Sequence, residues 1–328
     1  MIDRGSWIVL GVASLVRLAA GLRVPSLAND GGDVPQGPRA VAVLCGLVAG
    51  AALVRTATSI DDADAGRRAA WMAAALPLFM DVFSTATPMP LLHAAVACAL
   101  FALVRAIQTD DARWWVACGA LAGVGTLADW SALLLPLGLV LAVVGSQAMR
   151  AQLVGRAQGI ALAISFGIAA PVLWWRARSG WHWLDADGLP DPGWRAGASA
   201  LERAAAFLVA EALVAGPVLA LLLAMVMLRV LRNGATPARA VLARWVLVVL
   251  VGGGVLALVT GAGVNRPPIA WLAGTVVLST SALVVERRTW WRAGVALALL
   301  LTLAATAWIL RTRGPMRPGA VPSVVPTL

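Results

Sequence analysis

Lysine and tyrosine are absent from this 328-residue sequence, which has three cysteines, two histidines and only 13% charged residues. Each shortage excludes something. Cys45, Cys98 and Cys118 fall inside apolar runs at unrelated spacings with no CxxC pair, so they read as small packing residues rather than a disulfide framework or a thiolate metal site. His93 lies within an apolar run and His182 is the only other histidine, which leaves a histidine-based metal centre without a ligand set. With 60% hydrophobic residues and a mean hydropathy of +0.84, the scarcity of charge excludes a soluble globular domain, which would expose large apolar patches. Because lysine is missing, the whole positive charge is arginine, and the net +10 sits mostly at the ends of apolar runs. Membrane topology requires arginine there, so nucleic acid is not a partner that this basic balance implies. No strand pattern precedes the glycines of "GALAGVG" at 119–125 or "GLVAG" at 46–50, so they read as close helix packing and not as a phosphate cradle.

What remains is a succession of apolar stretches, each long enough for a helix to cross about 30 Å of hydrocarbon. They fall near 6–22, 39–57, 69–87, 89–106, 113–128, 130–148, 157–175, 204–228, 241–261, 267–285 and 293–310. The fold expected is all-α, a polytopic membrane protein of about 11 transmembrane helices. Arg17 interrupts the first stretch and no clean cleavage site follows, so that stretch reads as a retained helix and not a removed signal. A single transmembrane helical domain is expected over 1–310, with a first outer loop at 23–38 and a long outer loop at 176–203. A short proline-rich tail at 311–328 follows, with no soluble C-terminal domain.

A cytoplasmic N-terminus puts Arg55, Arg67, Arg68, Arg105, Arg113, Arg150, Arg156, Arg229, Arg232, Arg239, Arg244, Arg287, Arg288 and Arg292 with Arg4 on the inner side of an inner (plasma) membrane, against ten arginines on the opposite face, so the active face is expected to point outward. The unusual stretches then collect outside. They are "ANDGGDVPQG" at 28–37, "TATPMP" at 85–90, "ADWS" at 128–131, "PVLWWRARSGWHWLDADG" at 171–188 and "GVNRPP" at 263–268.

Tryptophans at helix ends are ordinarily headgroup-level anchors, the reading for Trp7, Trp71, Trp114, Trp115, Trp290 and Trp291. Trp181, Trp183 and Trp194 lie instead in a loop longer than a connector needs. Arg176 and Arg178 suit either lipid headgroups or bidentate contact with a lipid-linked phosphate, and His182 is a surface residue, a proton donor or a ligand. Asp30 and Asp33 bracket two glycines and form either a turn or a general base for an acceptor hydroxyl or amine. Asp81 and Glu211 fall within apolar spans, where an ionisable group must face the bundle interior or a wet cavity, or link helices. Asp129, before Trp130, is either a solvated turn residue or part of a site.

"ATPMPLLHAAVACALFALVRA", "ARWWVACGALAGVGTLADWSALLLPLGLVLAVV", "APVLWWRARSGWHWL" and "GVNRPPIAWLAG" follow one another in an order and spacing that resembles the bacterial branch of the GT-C glycosyltransferases. These are the relatives of protein O-mannosyltransferases and of the aminoarabinose transferase that modifies lipid A. The resemblance covers roughly 40 to 285. It implies an inverting, multispan enzyme that moves a sugar from a polyprenyl-phosphate carrier to a glycan, lipid or protein acceptor at the outer face. Asp30, or Asp33 in its place, would be the base; Arg176 and Arg178 would meet the phosphate; Trp181, His182, Asp129 and Trp130 would line the substrate. No cofactor is implied, and a divalent cation is left open.

The sequence departs from that pattern in several places. Met89 follows Thr87–Pro88 where the family usually has an acidic residue, Asp129–Trp130 stands for a Lys-Tyr pair, and Arg176 and Ser179 stand for an asparagine and a histidine. A second reading is therefore a non-catalytic relative that binds the lipid-phosphate carrier or assists a partner transferase. A transporter is the third, without an inverted repeat to support it.

Overall fold

The computed structural model describes residues 4–23, 36–84, 87–144, 154–178, 199–233, 235–260 and 269–312, and all regular structure among the described residues is helical. In chain order these are α1 (Arg4–Arg23), α2 (Gln36–Ile60), α3 (Ala63–Ala75), α4 (Pro77–Ser84), α5 (Met89–Thr109), α6 (Ala112–Ala128), a 3-10 turn (Trp130–Leu133) and α7 (Leu134–Val144). There follow α8 (Arg156–Arg178), α9 (Ala200–Ala215), α10 (Pro217–Asn233), α11 (Pro237–Thr260), α12 (Ala270–Ser279), α13 (Ala282–Glu286) and α14 (Arg288–Thr312). Ala40–Ile60, Met89–Thr109, Arg156–Trp175 and Pro237–Val255 are long and apolar enough to cross a bilayer uninterrupted. The chain is an all-α integral membrane protein.

Three expected spans are broken. The span expected at 69–87 begins earlier, at Ala63, and divides at Leu76 because Pro77 has no N–H for the ladder. The span at 204–228 divides at Gly216, whose φ of +82° is a left-handed helix stop, with Pro217 opening the next helix. The span at 267–285 pauses at Thr280–Ser281, where the Ser281 hydroxyl caps the N–H of Leu283. In hydrocarbon each freed backbone group needs a partner from the protein. Two such carbonyls receive one from a distant helix. Ala75 O accepts from Thr302 Oγ1 at 2.8 Å, and Ser279 O accepts from Arg68 Nε at 2.7 Å. Leu134 O, where the 3-10 turn becomes α7, accepts from Trp245 Nε1 at 3.0 Å.

Lipid tails are as apolar as leucine, so helices pair by close fit rather than by hiding oil from water. Alanine-rich α5 is the central helix, with 72% of its apolar window buried against 17% for α8 at the periphery. α5 packs on α2 and α6, and α6 in turn on α8. A Cβ at Gly119 would stand 2.1 Å from Ala161 O, and one at Gly123 would stand 2.9 Å from Ser165 O, so the "GALAGVG" run is a helix contact, as its composition implied.

Candidate functional site

Contacts across elements fix which helix ends share a face. Gln108 Nε2 donates to Ser59 O at 2.6 Å, Arg68 approaches Asp61 at 3.8 Å, and Arg229 forms a two-pronged ion pair with Glu286 at 2.8 and 3.2 Å. The end of α2, the start of α3, the ends of α5 and α10 and the end of α13 therefore lie together, at an arginine-rich end of the bundle. α6 starts just after α5 ends, and Gly119 faces Ala161 while Gly123 faces Ser165 and Ile168, so α6 and α8 run in the same direction. Asp129, beyond α6, and Arg178, at the end of α8, consequently lie at the opposite end.

At that end Asp129 caps the 3-10 turn, its Oδ1 accepting from Ser131 N at 2.7 Å. The turn reading of this residue is thus realised in the fold. At the same end His93, in the first turns of α5, is fully buried, its Nδ1 within 2.9 Å of Met89 O and its ring edge-on to Phe83. Arg178 belongs to the last turn of α8 rather than to the loop expected from 176, and its guanidinium lies 4.8 Å from the centre of the Trp174 ring. Trp174 and Trp175 expose about two thirds of their surface, so this cation and its aromatic neighbour face away from the bundle.

Arg176 lies on α8 and Trp130 on the 3-10 turn, but their side chains are outside the described set. Asp30, Asp33, Trp181 and His182 lie outside the described residues altogether. Of the expected site, Asp129 and Arg178 are brought to one end.

Glu211 is the residue whose partner the sequence did not reveal. It is 8% exposed and its Oε2 accepts from Trp271 Nε1 at 2.9 Å, a hydrogen bond from α9 to α12. Trp271 is eight residues before Ser279, whose carbonyl Arg68 meets at the arginine-rich end, which puts the bond roughly 12 Å inside that end at 1.5 Å per residue. Glu211 therefore links helices within the apolar layer. Glu202 stands higher on the same helix in a reciprocal cap with Ser199: Ser199 N donates to Glu202 Oε2 at 2.6 Å and Glu202 N to Ser199 Oγ at 3.3 Å. The backbone N–H of Ser199, and then its hydroxyl, hold the Glu202 carboxyl below the usual carboxylate range. The Ser-x-x-Glu spacing was the available signal for this cap.

The tryptophan belt needs one correction. Trp7, Trp71 and Trp290 expose about half their surface, as anchors do, but Trp115 is 3% exposed. Neighbours on a helix point about 100° apart, and α6, unlike the peripheral α8 that leaves Trp174 and Trp175 both exposed, is packed between α5 and α8. Trp114 stands edge-on to Phe101 under Arg105, and Trp115 turns inward.

The fold and these ends define a polytopic helical membrane protein with one end tied by arginine contacts and an opposite end carrying cations, carboxylates and aromatics. Residues 31–175, 145 of the 328, match the dolichyl-phosphate-mannose-protein mannosyltransferase family, which supports a membrane glycosyltransferase of the GT-C type. Asp33, Asp129 and Trp130 fall within the matched stretch, and Asp30, Arg176, Arg178, Trp181 and His182 fall outside it. No curated protein matches the chain.

Proposed function

We propose that this protein transfers a sugar from a polyprenyl-phosphate carrier to a glycan, lipid or protein acceptor at the outer face of the inner membrane. The family match over 31–175 carries the reading. The end bearing Asp129 and Arg178 is then the outer one, and the arginine-rich end is cytoplasmic. That orientation puts the substrate groups where a carrier leaving the bilayer presents its phosphate.

The chemistry needs few parts. An acceptor oxygen or nitrogen attacks the anomeric carbon as the bond from that carbon to the phosphate oxygen breaks. The acceptor proton passes to a carboxylate, Asp30 or Asp33, and the electron pair leaves with the lipid phosphate. Attack opposite the leaving group inverts the anomeric centre. Arg176 and Arg178 stabilise the charge that develops on the phosphate, because fixed cations at the edge of a low-dielectric layer act strongly on it. Trp181 stacks on sugar or prenyl chain, and His182 and Trp130 are further substrate contacts. Asp129 shapes the rim through its cap on Ser131.

A carrier-binding relative without catalysis is the second reading, favoured by Met89 after Thr87–Pro88 where the resemblance implies an acid. One experiment separates the two. Envelope glycans and polyprenyl-phosphate sugars are compared by mass spectrometry in a deletion strain and in strains restored with the native gene, Asp30→Asn or Asp33→Asn, with membrane levels checked. The transferase reading expects a glycan that disappears on deletion, returns with the native gene and stays absent with one asparagine variant. Full restoration by both variants would overturn the assignment of the base and favour the carrier-binding role.

A further inference from the structure

A pocket of about 110 Å³ opens among the end of α10, the start of α11 and the junction of α12 with α13. Arg229 and Val230 of α10, Arg239 of α11, and Ser281 and Leu283 of the junction line it. It lies at the arginine-rich end, where the Arg229–Glu286 ion pair ties α10 to α13. Its volume is well below the roughly 300–1,000 Å³ of a pocket for a whole small ligand, so it has room for one group of a larger molecule.

The charges in its wall are unbalanced. Arg229 commits both terminal nitrogens to Glu286, at 2.8 and 3.2 Å. Arg239 has no ion pair among the described residues. Asp61, whose field reaches it from beyond ion-pair distance, is itself met by Arg68 at 3.8 Å. Arg239 Nε is covered and makes no hydrogen bond, so a ligand would meet the terminal nitrogens of this half-buried guanidinium. Ser281 adds a donor. It is 6% exposed, and its Oγ accepts from Leu283 N at 3.2 Å, which uses a lone pair and leaves the hydroxyl proton to give. A partly buried cation without a counter-charge is costly, and an anion beside a hydroxyl donor offsets that cost.

Charge and depth select the anion. One unmatched arginine balances one negative charge, which a phosphodiester carries, whereas a phosphomonoester carries about 1.5 to 2 at neutral pH. Arg239 is the third residue of α11, whose apolar span begins at Pro237, so it stands where hydrocarbon gives way to headgroups. Basic pockets between helix ends at that level receive anionic lipid headgroups. We propose that this pocket holds the phosphodiester of one anionic phospholipid, on Arg239 and the Ser281 hydroxyl, with the start of its chains against Val230 and Leu283. The site stands on the membrane setting alone and is separate from the sugar-transfer reading, which concerns the opposite end.

Native mass spectrometry of the detergent-purified full chain tests this, with titration by dioleoyl phosphatidylglycerol or by dioleoyl glycerol, which keeps the chains and lacks the phosphate. The native protein is expected to retain one phosphatidylglycerol about tenfold more strongly, the scale of one charge-assisted hydrogen bond. Arg239→Gln, which stays polar but loses the charge, is expected to lose that preference, and Arg239→Lys to keep most of it. Arg292→Gln removes an exposed arginine at the same end but outside the pocket, and is expected to keep the preference whole. Equal retention of the two lipids by the native protein, a preference that survives Arg239→Gln, or one that falls as far in Arg292→Gln overturns the proposal. Displacement of phosphatidylglycerol by millimolar inorganic phosphate at constant ionic strength overturns it too and would make the pocket a site for free phosphate.

Discussion

Gly119→Ala tests the central claim about packing, that α6 and α8 are held by direct backbone approach. The added carbon would stand 2.1 Å from Ala161 O, 2.7 Å from its carbonyl carbon and 2.8 Å from its Cα. Ordinary contact begins near 3.4 Å, and the obstacle is backbone rather than a side chain that can swing away, so the helices must part by about 1.3 Å. Overpacking of this kind costs about 1–3 kcal/mol, and a backbone obstacle belongs at the upper end. Alanine's better helix propensity returns up to about 1 kcal/mol, leaving a net loss of about 2 kcal/mol. Gly167→Ala, on α8 with nothing within 4 Å of its added carbon, meets no obstacle and keeps only the propensity gain. The two variants should therefore differ by about 3 kcal/mol in opposite directions, several degrees in apparent Tm. Thermal denaturation of the purified proteins in one detergent reads this directly. If Gly119→Ala melts with or above Gly167→Ala, the helices are not in backbone contact and the account of this interface is wrong.

Two further outcomes follow from hydrogen bonds already described. Trp271→Phe strands a carboxyl oxygen of Glu211 that is almost entirely buried, a loss of about 1–3 kcal/mol, whereas in a Glu211→Met background, which has no oxygen to strand, the same change should cost markedly less; additive losses in a double-mutant melting series would refute the link. Acidification should loosen the start of α9: the Glu202 carboxyl is held below its usual range in the folded protein, so its cap is complete above the ordinary carboxylate pKa of about 4.3 and is lost as pH falls through the lower folded value. Amide exchange at 199–205 should accelerate as pH drops below about 4, relative to Glu202→Gln at the same pH, and an identical response in both proteins would sink that assignment.

Membrane residence was legible because lipid imposes length and apolarity on every span, and the sequence repeats both. Breaks within spans were harder to place. Pro77 and Pro217 signal a stop, but a proline in a membrane helix is tolerated when a neighbour satisfies the freed carbonyl, and Thr302, 227 residues from Ala75, is invisible to any local window. Helix faces were obscured for a related reason: with apolar residues all round, periodicity does not say which side of "RWWVACGALAGVG" is inward. The glycines did, since only close approach explains Gly119 and Gly123, whereas Trp115 followed the belt rule by composition and broke it in three dimensions. At the site, Asp129 was flagged with both readings and its cap realises the turn. Glu211 was flagged as an intramembrane acid whose partner lay sixty residues away.

Among the described residues, the arginine-rich end of the bundle gathers contacts that join distant parts of the chain, as in Gln108 to Ser59, Arg68 to Ser279 and Arg229 to Glu286. At the opposite end the caps of Asp129 on Ser131 and of Ser199 with Glu202 close within three residues. Caps of that local kind also finish helices at the arginine-rich end, where Asp62 accepts from Ala65 N and Asp111 from Arg113 N. On the proposed transfer reading, the helices must keep their register while carrier and acceptor come and go at the opposite end. Cross-links at the far end supply the register. Variants in those contacts should therefore act through stability, and on the proposed reading an effect on transfer at unchanged protein level is to be sought first in Asp30 and Asp33.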